Sequence, residues 1–137
     1  MALPVMSPLV SERIWALPIG AAPVKFLQYL VFKSENGGAL PSQKAMAVDY
    51  KVTPSTVSTL LDPLFELNIV LRRRAGERGG NRYRLHPLAA KYDSIESMEA
   101  AFTQALEDMK SGRLPTINVP EYRAAPPAEG RPELRIA

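Results

Sequence analysis

Gln43 to Leu61, QKAMAVDYKVTPSTVSTLL, reads as two short helices joined by a turn in which only Lys51 and Val52 remain. Ser42 is placed to cap the first helix, which runs to about Tyr50. Thr53 caps the second, and Pro54 takes its first helical position, where a missing N–H is no loss. Val57, Leu60, Leu61 and Leu64 then recur along one face. A small residue at Ala47 lets the two helices approach closely, while Val52, Val57 and Leu60 fill the wedge between them. The positions left over, Ser55, Thr56, Ser58 and Thr59, are short and polar. Such a face can lie in a major groove without obstruction, offering hydroxyls to phosphates and base edges and threonine methyls to thymine.

Downstream the apolar period changes from helical to alternating. Asn68 suits the left-handed conformation that ends a helix. Residues 69–74 and 81–86 read as two strands around the glycine-rich tip Ala75-Gly76-Glu77-Arg78-Gly79-Gly80. From Arg72 to Arg84 there are six Arg (72, 73, 74, 78, 82 and 84) against Glu77 alone, a local charge of +5 on a chain of net charge +3. The rest of the chain is therefore mildly acidic. Positive charge gathered beside an insertable helix is the footprint expected of a nucleic-acid binder, because neutralised phosphates release their counterions. Strand alternation points Tyr83 and Leu85 inward and Arg82 and Arg84 outward. Pro63 falls inside the second helix, so that helix either kinks there or ends near Leu61 and restarts with Asp62 as cap.

Outward from this centre the chain divides by composition. Residues 1–20 are apolar but broken by Pro4, Pro8 and Pro18, an extension with at most a helical turn or two at residues 11–15, expected to help form a dimer interface. Residues 21–90 are the folded domain: Pro23 opens a helix carrying Val24, Leu27, Leu30 and Val31, Asn36-Gly37-Gly38 stops it, and Ala39-Leu40-Pro41 supplies a short strand. Trp15, Phe26, Tyr29 and Phe32 are expected to pack in the core. Residues 91–112 form an amphipathic helix, opened by Asp93 or Ser94 and closed by Gly112, whose stripe is Ile95, Met98, Phe102, Ala105, Leu106 and Met109. Positions 95, 98, 102, 105 and 109 follow heptad spacing. The stripe either covers the domain's own core or forms a dimer seam; the seam is the favoured reading, since a twofold axis sets two reading heads on a palindrome. Residues 113–137 contain five Pro and are expected to be mostly disordered.

The bulk composition narrows the choices. A chain of 137 residues with 46% hydrophobic content suffices for one domain plus tails, mainly α with a small β-hairpin (α+β). The lack of Cys removes disulfides and thiolate metal sites. No apolar run is long enough to span a membrane, and the N-terminal residues lack the basic start of a signal peptide, so a cytoplasmic location is expected. His86 has no partners for a catalytic or metal role, and no nucleophile with its base can be assembled. Neither an enzyme, a metal nor a cofactor is implied, and no pattern indicates a small-molecule effector.

The order helix, helix, VTPSTVSTLLDPLFELNIVLRRR, glycine tip, GGNRYRLHP resembles a winged helix-turn-helix with an extra C-terminal helix. It is similar to the MarR-type bacterial regulators, and the GGNRYRL strand also resembles winged helices of phage and plasmid replication proteins. The resemblance covers roughly residues 24–90 and departs at Lys51, a turn position commonly held by Gly. It implies that Pro54 to Thr59 read the major groove and that Arg74 to Arg82 touch the flanking backbone or minor groove. The expected contact set is Lys44, Lys51, Thr53, Pro54, Ser55, Thr56, Ser58, Thr59, Arg72, Arg74, Arg78, Asn81, Arg82 and Arg84. The expected function is sequence-specific binding of double-stranded DNA by a homodimeric transcriptional regulator. A plasmid or phage replication or partition factor is the first alternative, and a winged-helix protein-interaction module the second.

Overall fold

Residues 3–74 and 81–119 are described by the computed structural model. In chain order they form β1 (Val5–Met6), α1 (Pro8–Glu12), a 3₁₀ turn (Ile14–Ala16), α2 (Ala21–Lys33), α3 (Gln43–Tyr50), α4 (Pro54–Glu66), β2 (Val70–Arg74), β3 (Asn81–Leu85), a second 3₁₀ turn (Pro87–Ala89), β4 (Lys91–Tyr92) and α5 (Ile95–Lys110). The architecture is mainly helical with a small antiparallel two-stranded hairpin, an α+β arrangement.

Helix starts and ends follow local chemistry. Ser42, Thr53 and Ser94 each accept a hydrogen bond from the backbone N–H three residues on, capping α3, α4 and α5. All three helices close the same way. Lys51, Asn68 and Gly112 take positive φ (63°, 62° and 83°), and the next N–H reaches back five residues, from Val52 to Ala47, Ile69 to Leu64 and Arg113 to Asp108. At Lys51 a side chain occupies a conformation that glycine adopts freely, so the turn is strained by about 1 kcal/mol. Pro63 neither ends nor divides α4, which is continuous from Pro54 to Glu66. Burial of Val57, Leu61 and Leu64 outweighs the lost N–H.

One core unites all the elements. Phe26, Leu27 and Leu30 of α2, Met46 of α3, Val57 and Leu64 of α4, and Ile69 and Leu85 at the base of the hairpin are fully enclosed. Between α2 and α3, the Tyr29 hydroxyl donates to Asp49 Oδ2 at 2.9 Å and Lys33 pairs with the same carboxylate at 3.2 Å. Ala39 bridges to Arg84, adding a single rung of a third strand beside β3.

At the margins the structure adds detail to two expectations and corrects one. Residues 3–20 belong to this core: β1 pairs with β4, and Leu9, Val10 and Leu17 are buried in it. Trp15 and Phe32 are 75% and 73% exposed, so neither packs in the core. Trp15 Nε1 donates to the Glu12 carbonyl at 2.8 Å, and the Phe32 ring lies under Lys91 Nζ at 5.8 Å. Finally, the first seven residues beyond Gly112 are docked, with Ile117 and Val119 buried. The Asn118 N–H donates to Leu67 O, Asn68 Nδ2 to Thr116 O, and His86 Nε2 to Pro115 O at 2.7 Å. Residues 120–137 lie outside the described residues.

His86 locks this strap from within. Its Nδ1 accepts from the Leu88 N–H at 3.1 Å, which places the proton of the neutral ring on Nε2, the atom facing Pro115. Burial, opposed by the bond to Pro115 and aided by the charge of Arg84, holds its pKa below the ordinary imidazole value.

Two outcomes follow. Ile117→Ala should lower the unfolding free energy by about 2–5 kcal/mol in urea titration, whereas a loose tail would tolerate it. Because the unfolded chain binds the His86 proton more readily than the fold does, stability should fall as pH drops below about 6.5 and level off beneath the depressed folded value. Urea midpoints of His86→Gln should show a flatter slope across that window.

Candidate nucleic-acid interface

The turn between α3 and α4 aims the first two turns of α4 into solvent. Ala47 and Val57 are buried where the helices touch, and Val52 and Leu60 are half-buried beside them. Ser55, Thr56, Ser58 and Thr59 are all exposed, as are Lys44, Lys51, Thr53 and Pro54. No acidic residue lies in the first turn of α4, so the positive end of its dipole is uncompensated within the helix. Further along, Asp62 and Glu66 are exposed. Their charge confines any anion contact to the two N-terminal turns.

The hydroxyls there are partly committed. Thr53 and Thr56 share a bond at 3.0 Å, Thr59 donates to the Ser55 carbonyl at 3.2 Å, and Ser58 accepts from Gln43 Nε2 at 2.6 Å. The same Gln43 amide also donates to Pro54 O at 3.0 Å, and its Oε1 accepts from the Tyr83 hydroxyl at 3.0 Å. A single side chain thereby joins the start of α3, the start of α4 and the hairpin. Nothing in its immediate sequence neighbours marks Gln43 for this role. The available signal was Tyr83 itself: an inward tyrosine needs a partner for its hydroxyl, and a Gln early in the preceding helix can supply one.

The hairpin carries its arginines on two opposite faces. Cross-strand partners share a face and alternate along the strand, and the register pairs Val70 with Leu85, Leu71 with Arg84, Arg72 with Tyr83, and Arg73 with Arg82. The front face holds Val70, Leu85 and Tyr83, all buried, with exposed Arg72. Phe65 of α4 stacks on Tyr83 at 6.0 Å, and the Arg72 guanidinium lies 4.7 Å over the Phe65 ring. Arg73, Arg82 and Arg84 occupy the rear face, all exposed. Arg73 is thus a basic residue of the hairpin that the expected contact set omitted. Arg74 and Asn81 form the last rung before the tip. Arg78 lies outside the described residues.

The stripe of α5 divides. Ala105 is buried, and Met98, Phe102 and Met109 pack half-buried against the core, Phe102 meeting Tyr92 edge-on at 6.3 Å. Ile95 and Leu106 stay 57% and 54% exposed. Among the described residues no group of three His, Cys, Asp or Glu is placed to hold a metal, and no helix is long and apolar enough to cross a membrane.

Gln43→Ala should destabilise the protein by about 1–3 kcal/mol, because the Tyr83 hydroxyl and the start of α4 lose their partner together. Thermal melting checks it, and Tyr83→Phe added to Gln43→Ala should recover part of the loss. The chain matches no protein-family model, no curated protein and no solved structure.

Proposed function

We propose that the protein binds double-stranded DNA as a winged helix-turn-helix, with α4 in the major groove and the hairpin as the wing. One observation carries this reading: the exposed face of the first two turns of α4 bears Pro54 and four short hydroxyl side chains, and it is tied through Gln43 to a hairpin rich in arginine. The helix fits a groove without obstruction, its positive end favours phosphate, and Arg72, Lys44 and Lys51 supply charge nearby in sequence or structure. The single bridge at Ala39 beside β3 also suits the three-stranded sheet of that fold.

A twofold dimer acting on a palindromic operator is the regulatory form we favour. The exposed Ile95 and Leu106 support it, since they lie eleven residues apart, three turns of α5, on one line. Occupancy of the operator would then be the regulatory act. A replication or partition factor is the alternative task for the same surface, and the arrangement of bound sites, single palindromes against repeated arrays, separates the two.

Ser55→Glu provides the test. A carboxylate in the first turn of α4 favours the helix dipole, so the melting temperature should hold or rise. The same charge faces phosphate, and affinity for duplex DNA in fluorescence anisotropy should drop at least about tenfold. In the unaltered protein, affinity should fall steeply with added salt. Failure of the unaltered protein to bind any duplex in dilute buffer overturns the proposal.

A further inference from the structure

The rear face of the hairpin is not explained by one duplex lying along α4. Arg73 and Arg82 are direct cross-strand partners, with Cβ atoms about 5 Å apart, and Arg84 follows Arg82 on the same face about 6.7 Å along the strand. Like charges so placed repel, and none of the three has an ion pair among the described residues. Two concavities extend the patch. One of about 410 Å³ lies between Arg73, Arg82, Arg84 and the Asn36-Gly37 loop. Another of about 530 Å³ runs along the edge of β2, lined by Arg73, Arg84 and Arg113 of the docked strap and also by Arg72 and Phe65. Arg113 is the one member with a partner, Asp108 at 3.2 Å, and it remains 66% exposed.

We infer that this rear face is a second phosphate-binding surface and that the protein holds two DNA duplexes together. The inference rests on the DNA reading above for its first duplex. A two-stranded ribbon presents its faces in opposite directions, so a duplex seated on α4 and Arg72 leaves the face of Arg73, Arg82 and Arg84 directed away from it, with Arg113 at the β2 edge in a concavity that Arg72 also lines. Four guanidinium groups gathered around the hairpin, with Asp108 the one acid paired to them among the described residues, match a repeated anion, and their planar forks fit phosphate oxygens. An acidic protein partner fits less well. Protein interfaces are anchored by aromatic or aliphatic side chains, and the exposed large hydrophobics, from Leu3 and Met6 to Ile95 and Leu106, all belong to other elements.

The experiment captures one duplex with another. A duplex fixed to beads is incubated with the full chain, then with a fluorescent duplex of unrelated sequence at low salt, and the retained fluorescence is read. The unaltered protein should retain the second duplex. Arg73→Ala with Arg113→Ala should cut that retention at least about tenfold while changing affinity for a single duplex by no more than about threefold. Retention that survives the double substitution but is lost in Leu106→Asp would mean that two copies each carry one duplex, and would overturn the inference. So would binding of the first duplex with no retention of the second. If no duplex binds at all, both this inference and the proposed function fall.

Discussion

The Gln43 side chain is the constraint on which the rest of the arrangement depends. Apolar burial draws α2, α4 and the hairpin together but has no direction of its own. What fixes the hairpin relative to the start of α4 is one amide that donates twice, to Pro54 O and Ser58 Oγ, and accepts once, from Tyr83. Phe65 stacked on Tyr83 adds a second, orientation-dependent contact between the same two elements. With both in place, the arginine-bearing strands and the hydroxyl-bearing helix act as one rigid surface. Their spacing is then a property of the fold and needs no ligand to impose it.

Features governed by neighbouring residues were legible in the sequence. The caps Ser42, Thr53 and Ser94, the left-handed closures at Asn68 and Gly112, and the inward set of Tyr83 and Leu85 each depend on interactions within a few residues. Lys51 was readable as a turn, although its positive φ belongs to a residue type that rarely adopts it. What escaped was settled by distant contacts. Ile117 and Val119 sit in a proline-rich stretch whose composition argues against a core, and only the groove beside Leu67, Asn68 and His86 gives them one. Phe32 reads as a core residue by type and instead stays 73% exposed, with the Nζ of Lys91, a residue 59 positions away, over its ring. Gln43 is an ordinary polar residue until Tyr83 is brought beside it.

The arginines answer to more than one physical demand. Among the described residues β2 pairs with β3 alone, which leaves its outer edge without a ladder. Charged side chains on such a strand discourage pairing with another chain. That need, however, is met by any charge of either sign, and mixed signs would avoid the repulsion between Arg73 and Arg82. A run of one sign on both faces of the same ribbon is better matched to a polyanion than to solubility alone.

On α4 the internal hydrogen bonds decide what the exposed hydroxyls can still offer. Each hydroxyl has one proton to donate and two lone pairs. Thr59 spends its proton on the Ser55 carbonyl, so it can only accept from a ligand. Ser58 accepts from Gln43 and keeps its proton, and Ser55 carries no side-chain bond among the described residues. One hydroxyl of the Thr53–Thr56 pair keeps its proton, and so do Ser55 and Ser58, which can therefore donate as a phosphate oxygen or a purine N7 requires. Both lie ahead of Asp62, whose carboxylate repels the same acceptors. The free hydroxyl donors of this face are thus gathered in the first two turns of α4, at the positive end of the helix and within the span that Gln43 bridges.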